Sequence, residues 1–112
     1  MEMSLNEYQE LAQRTSNTKA PSAKIGNGLL GLCGETGECA DIWKKAVYQG
    51  HVLDYEHMAK ELGDVLWYVA ELAKGLGYTL EEIATMNIEK LKARYPYGFD
   101  SERSQNRQEG DV

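Results

Sequence analysis

Residues 25–47 read IGNGLLGLCGETGECADIWKKAV and residues 58–76 read MAKELGDVLWYVAELAKGL, and the fold is decided by reading both as helices. In the first, Ile25, Leu29, Leu32, Cys39, Trp43 and Val47 follow a helical period, and in the second Met58, Leu62, Val65, Leu66, Val69, Leu72, Ala73 and Leu76 form a broad apolar stripe. Each stretch carries an acidic pair, Glu35-x-x-Glu38 and Glu61-x-x-Asp64. Positions i and i+3 leave a helix on nearly the same face, so each pair presents two carboxylates side by side. If the helices pack antiparallel, the pairs can face each other across the seam. Like charges converging in a partly dry groove resist ionisation unless hard cations such as Mg²⁺, which prefer oxygen ligands, neutralise them. Glu35, Glu38, Glu61 and Asp64 therefore read as a metal site.

Working outward, Ser4-x-x-Glu7 forms a capping-box pattern before a short helix to about Arg14, and a polar loop follows to Ser22. Gly50 ends the second helix in the position that favours a left-handed cap, Asp54 caps the third, and Gly77 ends it. Thr79-x-x-Glu82 is another capping-box pattern and opens a fourth helix that stops just before Pro96. The expected architecture is all-α and four-helix-bundle-like, with antiparallel helices in a single domain over residues 1–99. Residues 100–112, DSERSQNRQEGDV, hold no apolar residue before Val112 and read as a polar C-terminal tail without fixed structure.

Gly28, Gly31, Gly34 and Gly37 recur every third residue, each costing about 1 kcal/mol relative to alanine inside a helix, so something should offset them. Asn27, Gly31, Glu35, Glu38 and Lys45 share one sector of the helix, combining acids, an amide, a cation and missing side chains. Gly31 and Gly34 read as room for a ligand, whereas Gly28 and Gly37 fit close helix packing equally well. On the fourth helix Asn87, Lys90 and Arg94 share a side and suit an anion such as polyphosphate, although Arg94 fits a surface ion pair almost as well.

A chain of 112 residues with a formal net charge of −6 is suited neither to nonspecific nucleic-acid binding nor to an anionic membrane. Its start lacks the basic-then-apolar layout of a signal peptide, and its longest strongly apolar run, Val65 to Ala70, is too short to span a bilayer, so a cytoplasmic protein is expected. Cys33 and Cys39 lie about 9 Å apart along one helix, beyond disulfide reach, and read as reduced packing thiols. His51 and His57 fall in or beside a loop and read as solvated.

The stretches GLLGLCGETGECADIWKK, KELGDVLWYVAEL and NIEKLKARYP together resemble the MazG-like nucleotide pyrophosphohydrolases of the all-α NTP pyrophosphatase superfamily. The resemblance covers roughly Asn27 to Phe99. It implies Mg²⁺-dependent hydrolysis of (deoxy)nucleoside triphosphates to monophosphate and pyrophosphate, with Mn²⁺ able to substitute, in a homodimer or homotetramer. It makes Glu35, Glu38, Glu61 and Asp64 the metal ligands. Asn87 and Lys90 match positions that approach phosphate or sugar, Tyr68 matches a substrate-touching tyrosine, and Lys45 is a looser match. Where many relatives carry a further glutamate this chain has Gly34, so the water-activating base falls to Glu35 or Glu38.

Such a hydrolysis needs charge neutralised on several phosphate oxygens, a water oriented in line with the leaving pyrophosphate, and a carboxylate to take its proton. The competing readings are a dUTP, dCTP or phosphoribosyl-ATP pyrophosphohydrolase within the same superfamily, and a non-enzymatic helical interaction module. A di-iron bundle would need Glu-x-x-His on two helices, and none occurs. The third helix is apolar on more than one face, which predicts a subunit interface.

Overall fold

The computed structural model describes residues 2–112. Helix α1 (Leu5–Gln13) starts on the expected capping box: the Glu7 N–H donates to the Ser4 hydroxyl at 3.0 Å, and the Ser4 N–H donates to the Glu7 carboxylate at 3.3 Å. Helix α2 (Pro21–Tyr48) carries Pro21 in its first turn, where a missing N–H leaves no bond unmade. The chain leaves α2 through Gly50 at φ +73°, a left-handed conformation open to glycine at little cost. Helix α3 (Tyr55–Leu76) is capped by Asp54, whose carboxylate accepts the His57 N–H at 3.2 Å, and it ends on Gly77 at φ +85°. Helix α4 (Leu80–Arg94) stops before Pro96, and the short α5 (Ser101–Gln105) follows Asp100. The described residues form no β-strand, and no helix is long and apolar enough to cross a membrane.

The chain divides into two compact units, Met1–Leu80 and Glu81–Val112, a boundary that falls inside the 1–99 range read as one domain. In the first unit α2 and α3 run antiparallel, since Gly28 lies against Leu72 while Gly31, one turn further on, lies against Tyr68, one turn earlier. A Cβ added at Gly28 would come within 2.7 Å of the Leu72 Cβ, and one at Gly75 within 2.9 Å of the Ile25 nitrogen. These glycines let the backbones meet. Gly31 does make room, but the ring of Tyr68 takes it. An added Cβ at Gly34 or Gly37 meets nothing within 4 Å, so Gly37 packs no helix in this chain.

The buried apolar residues here are small or few, Ala12, Ala70, Ala73 and Leu80, and the largest fully buried side chain is the charged Glu71. Glu71 of α3 is 0% exposed. Its carboxylate accepts from Gln13 (2.9 Å), Ser16 (2.8 Å), Thr18 (2.7 Å) and Asn27 (2.9 Å), and Lys24 lies 3.5 Å away. Lys24 also donates to Gln13 at 2.6 Å and to the Thr18 carbonyl at 2.9 Å. Burial pushes the Glu71 carboxyl up, but the donors from Gln13, Asn27, Thr18 and Ser16 outweigh it and hold the pKa at about 2. The knot ties α1, the loop after it, α2 and α3 together. Gln9 adds a second tie, donating to the Ala70 and Tyr78 carbonyls and accepting the Leu80 N–H at 3.0 Å.

In the second unit, residues 100–112 depart from the unstructured tail expected of them. Asp100 accepts the Glu102 and Arg103 N–H groups and so caps α5, and Asp111 returns to Arg94. The expectation weighed apolar burial alone, whereas this segment is held by capping and charge-assisted hydrogen bonds.

Candidate metal and active site

The antiparallel register that sets Gly31 on Tyr68 carries Glu35 and Glu38 of α2 to Glu61 of α3. One carboxylate oxygen from each lies within 4.8 Å of the other two. Glu35 and Glu61 are half-buried, Glu38 is exposed, and Glu35 Oε2 and Glu61 Oε2 are buried with no hydrogen-bond partner. Buried acceptors are almost always partnered, so two such oxygens on carboxylates of one cluster want a cation. Burial first, then the Glu38 charge, with Asp64 and Glu61 adding to it, pushes the Glu35 carboxyl up to about 7. A hard divalent ion relieves both conditions, supplying a partner for the orphaned oxygens and offsetting the repulsion. The donor set fits Mg²⁺ or Mn²⁺.

Asp64, the fourth expected ligand, is exposed and lies outside the close trio, though its charge reaches Glu35. It also reaches Tyr8 of α1, whose hydroxyl is pushed up by burial and then by Asp64. Neither Tyr8 nor His57 was singled out from the sequence as part of this site. His57 is exposed as expected, yet its Nε2 stands 3.4 Å from Glu61 Oε1, a contact that the i, i+4 spacing on one helix discloses.

The other candidates divide. Asn27 spends its amide N–H on Glu71, and Tyr68 seats its ring on Gly31 with an edge-on contact to Trp67 at 5.0 Å. Lys45 pairs with Asp41 at 2.9 Å, and the pair holds the Asp41 carboxyl below its usual range. Asn87 and Lys90 are exposed on α4, and Arg94 is engaged by Asp111; all three belong to the second unit.

Residues 26–99 match the model of the MazG nucleotide pyrophosphohydrolase domain. The chain belongs to this family. A relative from Mycobacterium phage L5, named Gene 37 protein, is 38% identical over 82 residues, covering 70% of this chain and 72% of that protein. No solved structure matches significantly. MazG domains are typically metal-dependent, and the matched region contains the whole acidic cluster and both halves of the Gly31–Tyr68 contact.

Proposed function

We propose that this MazG protein is a Mg²⁺-dependent nucleoside triphosphate pyrophosphohydrolase that converts (d)NTPs to (d)NMPs and pyrophosphate and so cleans the cytoplasmic nucleotide pool. The observation that carries this reading is the pair of buried, unpartnered oxygens of Glu35 and Glu61, contributed by two helices to one cluster. Glu35, Glu38, Glu61 and Asp64 would hold the metal, which supplies charge neutralisation on the phosphate oxygens and acidifies a bound water. Glu35 or Glu38 accepts the water's proton. The water oxygen then displaces pyrophosphate from the monophosphate. Lys45, Tyr68 and Asn27 of the first unit are proposed substrate contacts, and Asn87, Lys90 and Arg94 of the second unit are proposed phosphate contacts.

The exposed apolar side chains support a homodimer or homotetramer. Leu30 is 78% exposed and Leu62 56%, with Trp43 and Val47 also open, more than a finished surface leaves in place. Light scattering at micromolar concentration should return at least a dimer mass, and a monomer mass would exclude the assembly. Activity is tested by pyrophosphate release from a panel of common and modified nucleotides, with dUTP, dCTP and phosphoribosyl-ATP included. Release from at least one substrate, dependent on Mg²⁺ or Mn²⁺, is expected. Its absence across the panel would leave an interaction module.

A further inference from the structure

Glu61 divides its two carboxylate oxygens between different surroundings. Oε2 is buried without a hydrogen-bond partner, whereas Oε1 stands 3.4 Å from Nε2 of His57, one turn earlier on α3. The His57 side chain is 56% exposed and that of Glu61 19%, so a ring wetted by solvent reaches an acid largely withdrawn from it. Another i, i+4 pair on the same helix differs in this respect. Lys60 and Glu56 meet at 3.5 Å with both side chains well exposed, and a pair of that kind contributes little.

His57 is fixed at its backbone, because its N–H is the one that the Asp54 carboxylate accepts at 3.2 Å in the first turn of α3. Helical side chains lean towards the N-terminus, which brings the Glu61 carboxylate back towards the imidazole. The ring is not one of the clustered ligands: the ligand atoms that lie within 4.8 Å of one another belong to Glu35, Glu38 and Glu61. His57 reaches the cluster through Glu61.

A glutamate carboxylate turns about three side-chain bonds, and ligating a metal freezes those rotations at a cost in entropy. A donor on one oxygen sets the plane of the carboxylate beforehand and leaves the other oxygen free for the ion. Nε2 carries a proton in the imidazolium and in one neutral tautomer, so this hold does not require a charge on the ring. At 3.4 Å the contact is long beside the usual ~2.9 Å of an N–H···O bond, and active-site contacts of this kind shorten in the working complex.

We propose that His57 is a positioning residue of the metal site, donating from Nε2 to Glu61 Oε1 and so presenting Oε2 to the ion. The inference deepens the proposed function, and rests on it for the cation, by adding a residue that touches neither metal nor nucleotide.

The test is Mn²⁺ binding to the full chain without nucleotide, followed by loss of the free-ion electron paramagnetic resonance signal, in wild type, His57→Ala and His57→Gln. Partners that orient metal ligands are worth about 10–100-fold in affinity, so His57→Ala should weaken Mn²⁺ binding about tenfold. A glutamine amide can donate at the same i, i+4 spacing, so His57→Gln should recover most of the loss. Metal-free melting temperatures of the three proteins should coincide, and Mn²⁺ bound to wild type should show no coordinated nitrogen by electron spin-echo envelope modulation. Wild-type affinity in His57→Ala, or a His57→Gln as weak as His57→Ala, would overturn the positioning role and leave the metal site standing. A melting temperature that falls along with affinity in His57→Ala would make the residue structural, and nitrogen on the metal would make it a ligand; either overturns the proposal. A wild type that binds no Mn²⁺ would remove the metal site, and this inference with it.

Discussion

Glu35 Oε2 on α2 and Glu61 Oε2 on α3 are both buried and both lack a hydrogen-bond partner, although their carboxylates share a cluster no wider than 4.8 Å. Two acids brought together in this way from separate helices oppose the packing that brings them there. The register must be set by contacts elsewhere, and the site gains stability only when its charge is relieved.

Removing one charge while keeping the shape should therefore separate function from folding. Glu38→Gln and Glu61→Gln are each expected to abolish metal-stimulated pyrophosphate release and to leave the metal-free melting temperature unchanged or higher. Activity and melting are measured on the same preparations. Full activity in both variants would sink the metal site, and a large fall in melting temperature would make these acids structural.

The raised Glu35 pKa gives the metal-free protein a defined pH response. Its folded value of about 7 lies above the ordinary 4.5, so its contribution to stability is fully present below about pH 4.5 and is lost as pH rises through 7. Metal-free melting temperature should thus decline between pH 5 and 7.5, and Glu35→Gln should flatten the decline. Mg²⁺ at a hundred times its dissociation constant adds about 2.7 kcal/mol by mass action and should reverse it. A melting curve that ignores both pH and Mg²⁺ would count against the cluster.

Glu71 responds with the opposite sign. Its folded pKa of about 2 lies below the ordinary 4.5, so its contribution is present above pH 4.5 and is lost as pH falls towards 2. Glu71→Ala leaves the buried Lys24 charge without its carboxylate and should cost about 3–5 kcal/mol in denaturant unfolding at neutral pH. Glu71→Gln should cost less, yet still remove the acid-side loss of stability. Wild-type stability in Glu71→Ala would mean that the knot is loose.

The sequence made the site's acids and the helix boundaries legible because both are local: spacing along one helix places Glu35 beside Glu38, and Ser4, Asp54 and Gly77 cap through neighbours a turn away. It did not disclose Glu71. A search for apolar periodicity passes over a charged residue in VAEL, and its partners Gln13, Ser16, Thr18, Lys24 and Asn27 lie 44 to 58 residues away. Arg94 illustrates the same limit, since an apolar count cannot foresee a partner as polar as Asp111. Gly31 was legible as a vacancy, but only the opposing helix reveals that Tyr68 fills it.

That vacancy is open to test by filling it. Gly31→Ala drives a methyl into the Tyr68 ring and should cost about 1–3 kcal/mol, the range for overpacking, even though alanine is the better helix former. Gly34→Ala meets nothing within 4 Å and should stabilise by up to about 1 kcal/mol. Adding Tyr68→Ala to Gly31→Ala should recover part of the loss in a double-mutant cycle. Equal and favourable effects at both glycines would refute the contact.

The Glu71 knot also acts as a check on assembly. Each of its bonds requires a particular direction as well as proximity, so sliding α3 by one turn along α2 would strand a buried charge, whereas sliding alanine over alanine costs little. A chain held this way either closes with its clustered acids correctly opposed or does not close. Damage to the knot should then lower the fraction of competent molecules and leave the survivors' substrate affinity and turnover intact. A weakened preparation would be a diluted enzyme rather than a slower one.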